Sequence, residues 1–354
     1  MQHSVAMSAE PSQALWLHPD GHLSITKVHV QHELQAGEAL VEVLYSGVNP
    51  ADTEHAALGV HSTVAGYDFC GRVKACGPLC SYQVGDVIAG CTPTGLNRPA
   101  IFGSHQDFII YPNNLAFNVP STMPLAHAAC LMVTTRTAAD ALFNLFGLPL
   151  PGEDAANIGQ GALLVWGAGT SLGLATVQFA KAVGVSTIIG TASKPNHELL
   201  KRLGCTECFD YRDGNVVEGI QKWAKTRSEK ICWVMDAVGS SSARTAEIAA
   251  SCGSPDAKVV TARFHPKYAM PLAMTEDDNT FELEHIGKTT VPARREDAKR
   301  AQEALLWAVR NYGVRFELPV VNVLDSSLED AVQMIEKIRA GSAGLGKFVL
   351  KHPL

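Results

Sequence analysis

Several features that mark other classes of protein are scarce in this chain of 354 residues. No apolar run approaches the roughly 20 residues needed to cross a bilayer, and residues 1–12 lack the apolar core of a signal peptide. Basic residues do not exceed acidic ones, since 29 Lys and Arg stand against 35 Asp and Glu. Binding to nucleic acid needs a basic face. The sequence therefore predicts a cytoplasmic protein with neither a membrane nor a nucleic-acid partner.

The cysteine pattern gives little support for a disulfide framework or a metal site. The nine cysteines are an odd number and are scattered along the chain. Cys205-x-x-Cys208 allows a redox or metal interpretation, but no second CxxC accompanies it, so we favour a structural one.

The most informative stretch is an apolar run at residues 162–166 followed by a glycine turn and an amphipathic helix. The glycines Gly167, Gly169 and Gly173 follow the pattern G-x-G-x-x-x-G. Such a turn lets the backbone approach a pyrophosphate at the start of a helix. A tight strand-to-helix connection without any ligand is the alternative.

The remaining pattern predicts two domains. Short strands separated by glycine turns in the first 120 residues indicate a small, partly open β-barrel. From residue 162 onward strands and helices alternate, which predicts a doubly wound parallel sheet and an α/β fold class. The strands are expected at residues 162–166, 186–191, 206–209, 231–236 and 257–262. We expect residues 265–291 to be mostly irregular, a helix at 294–311, and a capping box at Ser326–Glu329 for a helix ending at Arg339.

The residues after the second strand of this sheet bear on the choice of nucleotide. A site for NAD normally carries Asp or Glu there, bound to the ribose 2′-hydroxyl. Residues 191–194 are Thr-Ala-Ser-Lys and include no acid. Ser193 and Lys194 can donate hydrogen bonds to a 2′-phosphate, so we expect NADP(H). The alternative is that Ser193 only caps the next helix and Lys194 is solvated.

Four stretches in this order resemble one family: residues 47–52, residues 66–73, the glycine turn with its helix, and residues 236–239. They resemble the medium-chain dehydrogenase/reductase superfamily, in its zinc-free quinone and enoyl reductase branch. Within that branch the chain looks most like the fungal trans-acting enoyl reductases of polyketide biosynthesis. The resemblance implies a GroES-like barrel domain at 1–137 and 315–354, and a Rossmann NADP-binding domain at 138–314.

The resemblance also bears on metal binding and on the reaction. Zinc-dependent relatives carry Cys where this chain has Asn49, and Gly-His-Glu where it has Gly66-Tyr67-Asp68; amide and phenol groups do not replace those ligands. We therefore expect no metal. Without zinc to polarise a carbonyl, hydride transfer to a conjugated C=C is the expected reaction, and the enolate then needs hydrogen-bond donors and a proton.

The family's site residues map onto this sequence as follows. The catalytic candidates are Asn49 and Thr137. The candidates for binding the cofactor are Asn49, Pro50, Asp52, Ala168, Gly169, Thr170, Ser171, Ser193, Lys194, Tyr211, Ala343 and Gly344. The candidates for contacting the substrate are Leu131, Thr134, Thr137, Phe281 and Ile286. Purely structural roles remain as alternatives, notably for Tyr211, Thr137 and Lys347, and Asp68 is more often a structural carboxylate.

One departure from the family pattern affects the expected function. Relatives often carry Trp-Lys after the Asn-Pro-x-Asp turn, whereas this chain has Thr53-Glu54-His55. The proton donor is left open between Tyr67, His55 and solvent. We expect an NADPH-dependent enoyl reductase, monomeric or homodimeric, that acts on a small-molecule or carrier-protein-bound enoyl thioester, with a polyketide synthase as partner. The alternatives are a quinone or alkenal reductase acting on free small molecules, and a non-catalytic cofactor-binding partner protein.

Overall fold

The computed structural model describes residues 6–8, 11–112, 116–153, 160–284, 286–341 and 344–354. The strands in chain order are β1 (Ala6–Ser8), β2 (Ser12–Leu17), β3 (Leu23–Val28), β4 (Gln31–Glu33), β5 (Glu38–Gly47), β6 (Thr63–Val64), β7 (Asp68–Cys76), β8 (Val87–Cys91), β9 (Phe108–Pro112), β10 (Phe117–Asn118), β11 (Ala162–Trp166), β12 (Thr187–Thr191), β13 (Glu207–Phe209), β14 (Ile231–Asp236), β15 (Lys258–Thr261), β16 (Asn279–Leu283), β17 (Gly287–Val291), β18 (Val321–Leu324) and β19 (Lys347–Lys351).

The α-helices in chain order are α1 (Ala51–Glu54), α2 (Leu125–Ala128), α3 (Met132–Ala139), α4 (Ser171–Val183), α5 (His197–Leu203), α6 (Val216–Thr226), α7 (Thr245–Cys252), α8 (Arg295–Arg310) and α9 (Leu328–Arg339). A 3-10 turn at His55–Leu58 follows α1, a π-helical turn at Asp140–Leu145 follows α3, and a 3-10 turn at Lys194–Asn196 precedes α5.

The chain divides into two compact units. The first comprises Met1–Val133, Met274–Arg294 and Val320–Leu354, and the second comprises Thr134–Ala273 and Arg295–Pro319. The sequence-based boundaries assigned residues 274–294 to the nucleotide-binding domain, whereas their contacts place them in the first unit. The hairpin of β16 and β17 explains this difference, because the Leu96 N–H donates to the Thr280 carbonyl at 2.8 Å within the first unit.

The first unit is built on a largely antiparallel sheet. Its strands lie in the order β10-β8-β7-β5-β19-β18, and β9 also pairs with β5. Strand β5 is ten residues long, which allows it to pair with β7, β9 and β19. At its end Gly47 passes so close to the Ala129 carbonyl that any side chain would collide with it.

The second unit contains a five-stranded parallel sheet in the order β13-β12-β11-β14-β15. Every residue of β11 and β12 is buried, as expected for strands covered by helices on both faces. The chain starts at β11, proceeds to one side, and then returns to the other side at β14. Ligands bind outside the carboxyl ends of the strands at such a reversal. The predicted fold class, a small β domain with a doubly wound parallel sheet, is confirmed.

Two local expectations need correction. Within residues 265–291, expected to be mostly irregular, residues 279–291 form a hairpin. Helix α9 is capped one residue later than expected, since Ser327 Oγ accepts from the Asp330 N–H at 3.2 Å. Asp330, rather than Glu329, therefore completes the cap, and its carboxylate accepts from the Ser327 hydroxyl at 3.0 Å.

Candidate functional site

The carboxyl end of β11 leads into the glycine turn and α4. Gly167 has a φ of +79°, and a side chain there would collide with Val238. Gly173 lies in the first turn of α4, where a Cβ would collide with the Gly167 carbonyl oxygen and lie 2.7 Å from the Ala168 Cα. These two glycines therefore allow the helix to pack directly on the turn.

Two threonine hydroxyls hold the turn in place. Thr170 caps α4, because its Oγ1 accepts from the Gly173 N–H at 3.0 Å. Thr191, at the end of β12, accepts from the Gly167 N–H at 2.9 Å, and its carbonyl accepts from the Ala168 N–H at 2.8 Å. The 13-residue helix α4 directs the positive end of its dipole at this turn. This arrangement fits a pyrophosphate.

A buried carboxylate shapes the neighbouring loop after β14. Asp236 accepts from the N–H groups of Val238 and Gly239 at 3.0 and 3.1 Å. It also accepts from the hydroxyls of Thr245 and Thr261 at 2.8 and 3.1 Å. The sequence singled out this stretch through the family resemblance, and the four hydrogen bonds give it a structural role beside the glycine turn.

Ser193 and Lys194, the residues predicted to bind a 2′-phosphate, follow the end of β12. Ser193 precedes the 3-10 turn without making a side-chain cap hydrogen bond, and its Oγ accepts from Asn196 Nδ2 at 3.2 Å. Lys194 is exposed, and its ammonium has no ion-pair partner within the described ranges. The capping alternative for Ser193 is thus not supported by its hydrogen bonds.

The next strand, β13, adds groups that the sequence reasoning missed. Asp210 accepts from the Lys194 N–H at 3.2 Å and from Arg212 Nε and Nη2 at 2.9 and 2.5 Å. This bidentate pair with Arg212 holds the pKa of Asp210 well below its usual range. Tyr211 is half exposed, and the Arg212 guanidinium lies 5.9 Å from its ring centroid. A cation directly after a predicted aromatic site residue was the available signal for Arg212.

In the first unit, the turn after β5 carries a buried polar network around Asn49. The Asn49 N–H donates to Asp52 at 2.7 Å, and its amide Nδ2 donates to Asp68 at 3.0 Å. Lys347 Nζ donates to Asn49 Oδ1 at 2.7 Å and to the Val48 carbonyl at 3.0 Å, and lies 3.7 Å from Asp68. The solvated alternative for Lys347 is therefore wrong, because this side chain is buried and hydrogen-bonded to Asn49.

This network bears on the question of a zinc ion. Burial raises the pKa of Asp68 to about 6, against the opposing influence of the Lys347 ammonium and the Asn49 amide. The Asn49 oxygen already accepts from the Lys347 ammonium, and an amide and a phenol lie at the positions where the family resemblance implies zinc ligands. The donor set at Asn49, Tyr67 and Asp68 does not fit a zinc ion.

A chain of hydrogen bonds runs from Asp52 through the interior of the first unit. His105 lies 3.2 Å from Asp52 and 2.9 Å from the Ser46 hydroxyl. Ser46 in turn lies 2.8 Å from His352, whose other ring nitrogen lies 3.0 Å from Asp107. Burial lowers the pKa of His352, although Asp107 opposes this effect. The sequence analysis did not predict any of these four residues, His105, Ser46, His352 and Asp107, as site residues.

The residues predicted to contact substrate are distributed over both units. In the first unit, Leu131 is fully buried, Phe281 lies in β16, and Ile286 is exposed at the hairpin turn. The Phe281 ring meets the His55 ring edge to face, with 6.1 Å between their centroids. The structure thus brings Phe281 to the segment Thr53-Glu54-His55.

The remaining predicted residues lie in separate places. Thr134 and Thr137 belong to α3 and to the second unit. In the first unit, Pro50 is exposed at the start of α1. Gly344 has a φ of +84° with open space around it, and Ala343 lies outside the described residues.

The described ranges contain neither a metal-binding group nor a membrane-spanning helix. No group of three or more His, Cys, Asp or Glu side chains in them is arranged to hold a metal ion. No helix in the same ranges is both long and apolar enough to span a membrane.

Two family models match the chain. The alcohol dehydrogenase GroES-like domain matches residues 35–121, and the zinc-binding dehydrogenase model matches residues 171–275. Together they span more than half of the sequence. The positions agree with the antiparallel unit and with the parallel sheet, respectively.

Curated relatives include fungal enzymes. The chain is 29% identical over 209 residues to the trans-enoyl reductase himH of Aspergillus japonicus, covering 57% of this chain and 59% of that protein. It is 29% identical over 257 residues to the trans-enoyl reductase resD of Aspergillus sclerotiorum, covering 68% of this chain and 69% of that protein. The match therefore covers less than two thirds of the length of himH.

A likeness to solved structures supports the fold alone. The crystal structure of the CurK enoyl reductase superposes with a TM-score of 0.73 at 20% identity, covering 98% of this chain and 100% of that chain. The quinone oxidoreductase from Coxiella burnetii gives a TM-score of 0.69 at 20% identity, covering 97% of this chain and 100% of that chain.

Proposed function

The chain belongs to the medium-chain dehydrogenase/reductase superfamily, and on this premise we propose that it is an NADPH-dependent, zinc-free enoyl reductase. Its proposed substrate is an α,β-unsaturated polyketide thioester in secondary metabolism, free or held on a carrier protein. We further propose that it acts in the cytoplasm, as a monomer or homodimer, with a polyketide synthase as partner.

The observation that carries the cofactor proposal is the edge of the sheet at β12 and β13. An NAD site would need a carboxylate free to bind the ribose 2′-hydroxyl. The carboxylate present, Asp210, is occupied by Arg212 and by the Lys194 N–H. Ser193 and Lys194 remain as donors for a 2′-phosphate, with Arg212 adding a second cation nearby. These charges favour NADPH over NADH.

In the proposed reduction, the protein has mainly to bind NADPH and the enoyl thioester and to orient them. When bound, NADPH supplies a hydride for the β-carbon of the conjugated system. The glycine turn and the start of α4 would hold the pyrophosphate. Asn49 in the first unit and Thr137 in the second are each proposed as a catalytic hydrogen-bond donor. Lys347 and Asp68 fix the Asn49 amide through its oxygen and one of its hydrogens.

The choice of a conjugated thioester rests on the ligand set and on the relatives. The donors at Asn49 and Tyr67 do not fit zinc, so no Lewis acid is assigned for reducing a simple carbonyl. The relatives himH and resD are both named trans-enoyl reductases. An enoyl thioester also matches the limited demand on the protein, because its enolate needs hydrogen-bond donors and one proton.

Purified protein tests this proposal in two stages. We expect NADPH to raise the melting temperature more than NADH does, and we expect NADPH to be oxidised with an enoyl thioester of pantetheine or of a carrier protein. Failure of NADPH to shift the melting temperature would contradict the proposal at its first step.

The acceptor panel separates the alternatives. Turnover of quinones or alkenals without turnover of any thioester would identify a reductase of free small molecules. Binding of NADPH without turnover of any acceptor would favour a non-catalytic partner protein, an interpretation that rests on the altered segment Thr53-Glu54-His55.

A further inference from the structure

A second polar cluster in the first unit is centred on the hydroxyl of Tyr67. His55 Nδ1 lies 2.8 Å from this hydroxyl, and Thr94 Oγ1 lies 3.1 Å from it. Thr94 Oγ1 and His55 Nδ1 are 3.4 Å apart. Three groups that can each donate and accept a proton are thus within hydrogen-bond distance of one another.

A guanidinium lies over the Tyr67 ring. The Arg98 Cζ is 4.7 Å from the ring centroid, and Arg98 Nη2 donates to the carbonyls of Val64 and Gly66 at 3.0 and 2.8 Å. Arg98 Nε is buried without a hydrogen-bond partner, and no carboxylate in the described part of the chain pairs with this side chain. This partly buried positive charge can stabilise negative charge on Tyr67.

The members of the cluster differ in accessibility. Tyr67 is only 3% exposed, whereas His55 is half buried on the segment that follows α1. His55 also contacts Phe281, which was predicted to line the substrate site. A ligand at this surface would meet His55 first, with Tyr67 behind it.

Both groups are neutral near pH 7. Burial lowers the pKa of His55 to about 4, and Arg98 acts in the same direction while Asp52 opposes it. Burial raises the pKa of Tyr67 against the influence of Arg98. A tyrosine hydroxyl that donates to His55 Nδ1 leaves the ring proton of the neutral imidazole on Nε2.

We propose that His55 is the catalytic acid of this enzyme and that Tyr67 is the positioning residue that relays a proton through it. The inference rests on the proposed enoyl reduction, and it names the proton donor for the enolate. The His55 Nε2–H bond breaks as a C–H bond forms at the α-carbon with the enolate electron pair. The Tyr67 proton moves to His55 Nδ1 in the same event.

Thr94 and Arg98, the other two members of the cluster, would stabilise the negative charge that this step leaves on Tyr67. The negative charge of the enolate is transferred to the Tyr67 oxygen, where the Thr94 hydroxyl donates and the Arg98 guanidinium lies over the ring. Water then protonates His55 Nε2, and the Nδ1 proton returns to Tyr67. One proton from water is consumed in each turnover.

Kinetics of matched variants test the relay. Tyr67→Phe keeps the ring over Arg98 and removes the hydroxyl, and His55→Asn removes the acid. General acid catalysis contributes about 10²–10⁴-fold, so we expect kcat to fall about a hundredfold for His55→Asn and at least tenfold for Tyr67→Phe, with KM and NADPH affinity unchanged. The double variant should be no slower than His55→Asn.

The control is Tyr82→Phe, which removes a hydroxyl that donates to the Ala116 carbonyl at 3.3 Å, away from this cluster. We expect this variant to retain the wild-type kcat. Wild-type kcat in both cluster variants would overturn the relay while leaving the proposed function intact. Absence of turnover in the wild type with every thioester would refute the proposed function, and the relay with it.

A measurement on the unliganded wild type guards against variants that fail to fold. The ¹⁵N shifts of the His55 ring, assigned by their loss in His55→Asn or by selective labelling, report its tautomer. We expect a neutral ring with its proton on Nε2 at pH 7. A charged ring, or a neutral ring with the proton on Nδ1, would overturn the relay whatever the enzyme turns over.

Discussion

Replacing Lys347 with Met tests how the charges around Asn49 are balanced. Lys347 and Asp68 are both buried, 3.7 Å apart, and the lysine also donates to Asn49. The pKa of Asp68 is raised from 3.8 to about 6, and Lys347 is the largest influence that lowers it. Removing the ammonium therefore raises the pKa of Asp68 further.

The sign follows from linkage. A carboxyl whose pKa is higher in the folded state than in the unfolded state stabilises the fold below pH 3.8, and this contribution is lost as the pH rises through about 6. At pH 5 Asp68 is mostly protonated, so Lys347→Met loses mainly the two hydrogen bonds of the ammonium. Each acceptor left without its donor, the Val48 carbonyl and Asn49 Oδ1, lowers the free energy of unfolding by about 1–3 kcal/mol.

At pH 8 the variant suffers an additional loss. Asp68 must either stay ionised without its cation or take up a proton. If Asp68 takes up a proton, the extra loss of stability is the free energy of protonating it at pH 8. For a group with a pKa of about 6 this is two pH units, or about 3 kcal/mol. The free energy of unfolding should thus fall by up to about 3 kcal/mol more at pH 8 than at pH 5.

Urea denaturation at the two pH values, followed by circular dichroism and tryptophan fluorescence, measures this difference. The control is Lys351→Met, on the same strand, whose ammonium pairs with exposed Asp325 at 2.7 Å. We expect a much smaller effect for the control, without a change between pH 5 and pH 8. An equal loss at both pH values for Lys347→Met would refute the claim that its charge stabilises ionised Asp68.

Three further predictions concern the second unit. Lys194→Ala should weaken NADPH binding about tenfold and leave NADH binding unchanged, whereas exposed Lys201→Ala should change neither in a fluorescence titration. Gly173→Ala should lower the melting temperature and abolish its shift by NADPH, because the new Cβ collides with the turn. The control Gly214→Ala, whose Cβ has nothing within 4 Å, should change neither the melting temperature nor its shift. Asp236→Ala removes the acceptor of four hydrogen bonds, three of them buried, and should cost about 3 kcal/mol or more in urea denaturation.

The parallel sheet could be predicted from local pattern alone. Its central strands β11, β12 and β14 are buried along almost their whole length, so each is a largely apolar run followed by a turn. The edge strands β13 and β15 are shorter and only partly buried. Strands β11 and β14 have the predicted bounds, and the bounds of β12, β13 and β15 differ from the prediction by no more than one residue. The glycine turn and the residues after β12 were predicted for the same reason, since they follow directly on these runs.

The hairpin at 279–291 shows the limit of this approach. Its strands have five residues each and are half exposed, so they lack the run of buried apolar residues that marks the parallel strands. Its anchoring contacts are distant in sequence. The Leu96 N–H donates to the Thr280 carbonyl at 2.8 Å, and a Cβ on Gly59 would lie 3.0 Å from the Glu282 Cβ.

The polar network of the first unit was beyond prediction for a related reason. His105 and Ser46 are 59 positions apart, and Ser46 and His352 are 306 positions apart. No spacing rule relates residues at such distances. Ser46 and His352 meet because β5 pairs with β19, the strand that His352 follows. The sequence left open whether Lys347 is solvated, because its burial depends on the pairing of β19.

Asn49 and Tyr67, at which the family resemblance implies the zinc ligands of other members, each lie beside a cation in this protein. At Asn49 the charge of Lys347 is offset by Asp68, 3.7 Å away. At Tyr67 the charge of Arg98 has no carboxylate partner among the described residues. Negative charge that develops on a substrate in this unit would therefore be stabilised through Arg98 and Tyr67 rather than through Lys347. This is why the loss of the Tyr67 hydroxyl should affect turnover, whereas the loss of Lys347 should first affect stability.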